Sequence, residues 1–463
     1  MPAVVVTHFA PMAPEERTVT AKRARGRRLP EFVVVRGIGR GRDYVLTFAT
    51  ELAALGAGLL VLRLAATYWG PAGFGEYILA RRTLGMFALP VLLGMALAVT
   101  RYVAAARAGS ARHNERTYVV GALGIVSGMC MATLMGFNIF SRGLAAVLFS
   151  SATYVPLVRA VSLAIVGSAL HGLAYGILRG RLAMGRANTV QFVNLALVPL
   201  TSFLIPGLTP TGVITVIGAL WCTVAVVALA DIIAHSTPAN TSWRELRDVS
   251  RELLVYGGPR VPGELALGAL FALPVTIAAH MGGIVVAGHV GLAISVLSMV
   301  GSVFSPLGQI LLPAISGLSA RPGLLRVRAS LAKLLSICLG LTACFVLVVE
   351  LFTGPILRLV VGSGFAAAIP VVRTVALSAP AYVVYVVLRN VLDALHVRPL
   401  NAKNISISLC AFLLLALTLG TASSVPVSLG TAVVLLGVLS AWDAHRLLRA
   451  NRASLSARQG WAA

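Results

Sequence analysis

From about residue 44 onward the chain is a succession of apolar runs, each roughly twenty residues long. The short loops between them are alternately rich and poor in arginine. No other feature constrains the fold as tightly. Hydrocarbon offers no partner to a backbone N–H or C=O, so a run of that length must close its hydrogen bonds internally, as a helix. About 20 residues cross the hydrocarbon core. The runs predict helices over about 44–67, 76–100, 117–140, 155–178, 187–207, 211–234, 254–280, 284–312, 329–353, 368–392, 401–420 and 424–446.

The loops test that count, because cytoplasmic loops collect Lys and Arg. Of the 38 such residues, all but Arg63, Arg81, Arg82, Arg142, Arg159, Arg358 and Arg373 fall in the first tail or in 101–116, 179–186, 244–260, 321–333, 389–403 and 446–458. Those segments are alternate loops, and a wrong helix count would scramble the alternation. The expectation is an all-α polytopic membrane protein of about twelve transmembrane helices with both termini cytoplasmic. Composition agrees: 58% of residues are hydrophobic and 11% charged, where a soluble chain is nearer half and a quarter. A net charge of +23 does not point to nucleic acid, because the cations are spread over short loops and not gathered on a soluble domain. The five cysteines lie in apolar runs without CxxC spacing; they read as small buried hydrophobes, with neither a metal site nor a disulfide framework.

Residues 1–42, with "AKRARGRRLP" and "RGIGRGR", read as a flexible basic cytoplasmic tail touching lipid headgroups. They lack the apolar region and cleavage site of a signal peptide. Beyond them the chain echoes itself. "ELA" at 51–53 returns at 264–266, "GPAGF" at 70–74 resembles "GHVGL" at 288–292, "PLVRAV" at 156–161 matches "PVVRTV" at 370–375, and "YGILR" at 175–179 matches "YVVLR" at 385–389. The offsets are 213, 218, 214 and 210. Each spans six helices, an even number, so the halves are expected to be two parallel six-helix bundles related by an axis along the membrane normal. The division predicted is 43–234 for the first bundle, 235–253 for an amphipathic cytoplasmic linker, 254–446 for the second bundle and 447–463 for a second cytoplasmic tail.

Ionisable residues inside spans are costly and mark function. Arg63, Arg81, Arg82, Arg159 and Arg373 fall toward the outer halves of their helices and would make a cavity cationic. A guanidinium offers two parallel hydrogen bonds, so the guest expected carries phosphate or carboxylate. Snorkelling to the headgroups is the competing reading for Arg159 and Arg373, which lie close to helix starts. Arg81 and Arg82 sit about 100° apart on a helix, so only one of them is expected to face the cavity. Glu51 and Glu264 are candidates to bind a coupling proton or cation, or to pair with the arginines. A structural ion pair or a helix cap would explain them equally well. In "YGGPRVPGEL", Gly257, Gly258, Pro259 and Pro262 suggest a bent helix start that could serve as a gate or hinge, although a proline can simply begin a helix. His171, His280 and His289 read as hydrogen-bonded packing residues. No catalytic group, metal or cofactor is expected, and no Walker motif is present.

"RLAATYWGPAGFGEYILA" resembles the R-x-L-G-P-x-x-F-G-x-Y region of the polysaccharide and oligosaccharide flippases, members of the multidrug/oligosaccharidyl-lipid/polysaccharide (MOP, MATE-like) exporter superfamily. "YGGPRVPGELALGALFALP" is similar to the start of their seventh helix, and "LRNVLDALHVRPLNAKN" to the end of their tenth. The similarity extends over most of 43–446. It implies a non-enzymatic flippase of the bacterial cytoplasmic membrane. By alternating access, such a protein accepts a polyprenyl-pyrophosphate-linked oligosaccharide into a cationic central cavity. Arg63 matches the helix 1 arginine position and Glu264 an acidic position in helix 7. The partners implied are the lipid-linked oligosaccharide, membrane lipids and other polysaccharide-assembly proteins. Two readings compete. A cation-coupled multidrug exporter of the same fold would want acids in its cavity, and a membrane polymerase or glycosyltransferase would want paired carboxylates.

Overall fold

The computed structural model describes residues 41–236, 241–318, 324–395 and 400–459. The basic tail expected at 1–42 lies outside them save for its last two residues, as do 237–240 of the linker and 460–463 of the second tail. Among the described residues every regular element is helical. Among the described residues eight helices are long and apolar enough to cross a membrane, or nine if the bent pair Ser363–Ala376 and Ala379–Leu392 is one span. The chain is a multi-pass membrane protein.

That count differs from twelve apolar runs for two physical reasons. First, α1 (Gly41–Val91) and α10 (Val261–Leu318) each carry a reversal at a glycine whose φ is positive, Gly70 (φ 59°) and Gly283 (φ 81°). Only glycine adopts such backbone without steric cost. A straight helix from Ala54 to Arg82 would be about 42 Å long at 1.5 Å per residue, yet both residues line one cavity. The two arms of α1 therefore run back alongside each other. In α10, a Cβ placed on Gly291 would come 3.6 Å from Val275, sixteen residues earlier in the chain. Second, the run expected at 187–207 is a chain of short pieces: α6 (Met184–Phe192), a π-helical turn (Val193–Leu197) and α7 (Val198–Ser202). Asn188, Gln191 and Asn194 give it one polar, buried face. The run expected at 76–100 is broken as well: α1 ends at Val91, Leu93 and Gly94 take φ of 51° and 67°, and α2 (Met95–Arg107) follows.

In the first half α5 (Val155–Gly180) is the central helix, buried along most of its length. Its glycines let neighbours approach closely: a Cβ on Gly176 would strike the Ala96 carbonyl of α2, and one on Gly167 would strike Trp221 of α8 (Pro210–Ala234). Small residues do this work in lipid, where no hydrophobic force drives helices together. The second half packs α10 against α13 (Ala379–Leu395), α14 (Leu400–Leu419) and α15 (Ser424–Gln459) in the same way. There Gly437 of α15 abuts the Ala381 backbone of α13.

The halves meet along a local two-fold axis. The kinks at Gly70 and Gly283 are 213 residues apart, and so are the pairs that touch where the second arms of α1 and α10 cross. A Cβ on Gly288 would lie 3.0 Å from the Gly75 Cα, Ile78 fills the space before Gly291, and Arg82 hydrogen-bonds Ser295. Residues i, i+3 and i+7 share one helix face, and each meets its own counterpart, as an isologous contact requires. The offset of 213 replaces the 218 suggested by "GPAGF" and "GHVGL": Gly70 corresponds to Gly283, not to Gly288.

Between the halves runs α9 (Trp243–Gly257), started by a capping box in which the Ser242 hydroxyl accepts from the Glu245 N–H and the Glu245 carboxylate accepts from the Ser242 N–H. It buries Val249 and Leu253 against the first half, where the Tyr118 hydroxyl of α3 (Glu115–Ile139) donates to Glu252 at 2.9 Å.

Candidate functional site

Arg81 and Arg82 of α1 open onto a cavity of about 220 Å³ at this crossing. Its walls are Ala54, Leu55, Gly58 and Leu62 from the first arm of α1, and Ile78, Arg81 and Arg82 from the second. Opposite stand Ser295, Ser298, Met299 and Ser302 from the second arm of α10. Two residues expected to diverge thus share the site. Arg82 is half-buried, donating to Ser295 Oγ at 2.7 Å, the Gly291 carbonyl at 3.4 Å and Ser298 Oγ at 3.5 Å. Arg81 is exposed, its guanidinium 5.7 Å from the Tyr77 ring centre. Adjacent helix positions can both reach one cavity because a long side chain bends its head well away from its Cα direction.

The other candidate arginines lie elsewhere. Arg63, exposed, donates to the Leu359 carbonyl at the end of α11 (Leu324–Val360), and so ties the two halves at the face carrying the α1 and α10 reversals. That face is further closed by Phe74 against Phe365 (ring centres 5.0 Å apart), by Pro71 against Gly364, and by His280 Nε2 against the Val147 carbonyl at 2.8 Å. Arg159 is exposed near the start of α5. Arg373 is half-buried in α12 (Ile369–Ala376) and pairs with Glu350 of α11 at 3.9 Å. None of the three lines the cavity.

Neither carboxylate lines it either. Glu51 accepts from Gln191 Nε2 at 2.7 Å and so faces α6. In the same region His171 meets Asn194 Nδ2 at 2.8 Å, beside the π turn, and the Asn194 carbonyl accepts from Trp221 Nε1 at 2.5 Å. Glu264 is half-buried in the first turn of α10, with its Oε2 enclosed and unbonded. The stretch before it is bent: Gly258–Arg260 form a 3₁₀ turn containing Pro259, and Pro262 follows in the first turn of α10. Gly257 packs directly on the break between α1 and α2, where a Cβ would strike the Leu93 carbonyl. Two irregular points, one from each half, are thus in contact.

The cavity lies on one side of the axis only. On the other side Gly268 of α10 packs tightly on α1, and a Cβ there would come 2.8 Å from the Met86 Cα. The counterparts of these two residues at the 213 offset, Leu55 and Met299, line the open cavity. The serines 295, 298 and 302 are functional candidates that the run of helices did not flag. Their spacing of i, i+3 and i+7 was legible in "SVLSMVGS", but not the direction in which that face points.

Residues 41–319 match the model of the family described as "Polysaccharide biosynthesis protein". The chain belongs to that family. No curated protein matches the sequence. Among solved structures the fold is shared with the inward closed conformation of the lipid II flippase MurJ, at 13% identity and a TM-score of 0.70, over 90% of this chain and 92% of that one. It is shared equally with the inward-facing conformation of a multidrug resistance MATE transporter of the MOP superfamily, at 13% identity and a TM-score of 0.68, over 88% of this chain and 98% of that one. A MOP superfamily transporter from Pyrococcus furiosus, described as having a binding pocket of reverse polarity, matches at 13% identity and a TM-score of 0.57, over 90% of this chain and 96% of that one. Identity this low establishes the fold. Family and fold together describe a multi-pass membrane protein of the polysaccharide biosynthesis family that shares the fold of those transporters.

Proposed function

We propose that the protein flips a polyprenyl-pyrophosphate-linked oligosaccharide across the bacterial cytoplasmic membrane by alternating access, without enzymatic chemistry. On this reading the two reversals and the broken 184–202 segment bring the spans to twelve. The moving bodies are residues 43–234 and 254–446, joined by the 235–253 linker, with both tails cytoplasmic. One observation carries the substrate class: the cavity at the crossing holds two arginines and, among its lining residues, no carboxylate. A hydrated sugar head cannot cross hydrocarbon unaided. A polar cleft shields it, and the guanidiniums offset the charge of its diphosphate. The contacts made by Arg63, Pro71, Phe74 and His280 would seal the outer face, leaving the cleft addressed from the cytoplasm, where such a substrate is assembled. Arg159 and Arg373 take peripheral roles. Glu51 and Glu264, away from the guest, are left to bind a coupling proton or cation. Gly257, Gly258, Pro259 and Pro262 form the hinge. A drug exporter built for cations would be repelled by this cavity.

The test is depletion of the protein. Lipid-linked oligosaccharide should accumulate on the cytoplasmic leaflet, and a chain carrying Arg81→Gln and Arg82→Gln should fail to clear it. Unchanged lipid-linked pools together with increased drug sensitivity would favour the exporter reading instead.

A further inference from the structure

The cavity wall facing Arg82 has a chemistry of its own. Ser295 Oγ donates to the Gly291 carbonyl at 2.8 Å, and Ser298 Oγ donates to the Ile294 carbonyl at 2.7 Å. A hydroxyl has one proton to give. Both serines give theirs back to their own helix, so each turns only lone pairs toward the cavity. Those lone pairs take the Arg82 guanidinium, at 2.7 Å and 3.5 Å. Serines so arranged have nothing to donate to a phosphate. They are acceptors, as a phosphate oxygen is, and they occupy the same donor.

We propose that Ser295 and Ser298 are a latch that holds Arg82 while the cavity is empty, and that the phosphate of an incoming substrate displaces them. The direction follows from charge and geometry: a phosphate brings an opposite charge and meets a guanidinium with two parallel hydrogen bonds, where each serine offers a single neutral acceptor. The consequence follows from position. Arg82 belongs to one half and Ser295, its counterpart at the 213 offset, to the other, so the bond crosses the local two-fold axis. An anion that takes Arg82 removes a tie between the halves. Ligand arrival is thereby coupled to their separation, through a difference in contacts between two states. The proposal rests on the cationic cavity being the substrate site, as argued above.

The experiment uses the full chain in lipid nanodiscs with inorganic pyrophosphate as the probe. Removing the two hydroxyl acceptors, with Ser295→Ala and Ser298→Ala together, leaves Arg82 only the Gly291 carbonyl at 3.4 Å and should tighten pyrophosphate binding about tenfold, because the apparent dissociation constant scales inversely with the fraction of free Arg82. Ser295→Thr with Ser298→Thr should restore wild-type affinity, and Arg82→Gln should abolish binding. Spin labels at Asn138→Cys and Thr421→Cys, in a cysteine-free background, read the separation of the halves. The alanine pair should widen that distance distribution without ligand, and pyrophosphate should do the same in the wild type. Affinity in the alanine pair equal to or weaker than wild type would overturn the latch, since serines acting as anion ligands predict a loss. If the wild type binds no pyrophosphate, it is the substrate reading that fails. The ligand-free distances then decide the latch alone: widening supports it and an unchanged distribution overturns it.

Discussion

Gly75→Ala should drive the two halves apart at the outer face. A Cβ on Gly75 would overlap the Ile284 carbonyl oxygen and lie 2.9 Å from its carbon, where ordinary contact begins at 3.4 Å. The obstacle is helix backbone and cannot rotate aside as a side chain would, so the crossing of α1 and α10 must open by at least half an ångström, the difference of those distances. Overpacking of this kind costs about 1–3 kcal/mol. Only the closed arrangement bears that cost, because the contact disappears when the halves part. A bias of about 1–3 kcal/mol between two states changes their ratio about 5- to 150-fold. Spin-label distances between Asn138→Cys and Thr421→Cys should therefore shift toward the longer population by at least fivefold. Gly85→Ala, on the same arm but with open space around its Cβ, is the matched control. A Gly75→Ala protein that folds, exports normally and keeps the wild-type distance distribution would refute the argument that this crossing is the closed gate.

Other outcomes follow from neighbouring contacts. Arg63→Gln should lower export without weakening pyrophosphate affinity, because Arg63 ties the halves at the Leu359 carbonyl and does not line the cavity, and a looser closed state favours the ligand coupled to opening; calorimetric titration beside an export assay separates the two effects. Glu51→Gln keeps a group able to meet Gln191 but cannot ionise, so it should remove the pH dependence of transport in reconstituted vesicles, and a mutant with an intact pH profile would exclude Glu51 as the proton carrier. Arg181→Met should destabilise the protein by about 2 kcal/mol, the worth of hydrogen bonds to a charged group, because it leaves Glu115 only the exposed Arg107 at 3.5 Å. Arg181 contacts Glu115 at 2.5 Å, Ser236 Oγ at 2.7 Å and the Ile232 carbonyl at 2.9 Å, and thermal unfolding in detergent measures the loss.

The sequence by itself determined the membrane architecture. Run length and the alternation of loop cations depend on hydrocarbon thickness and on the absence of backbone partners in lipid, and both are local properties of the chain. A reversal between the runs 44–67 and 76–100 was legible for the same reason, and the structure places it at Gly70, where a positive φ selects glycine. Helix rotation was not legible. In a soluble helix the apolar stripe marks the buried face, but in lipid both faces are apolar, and packing of small residues decides which side turns inward. Only the tertiary structure therefore brought Arg81 and Arg82 together against the serines of α10, sent Arg63 to the closed outer face and Arg373 to Glu350, and turned Glu51 toward Gln191. A charge within a span announces that a partner exists. Which partner it finds depends on contacts between residues up to 296 positions apart, which no local pattern encodes.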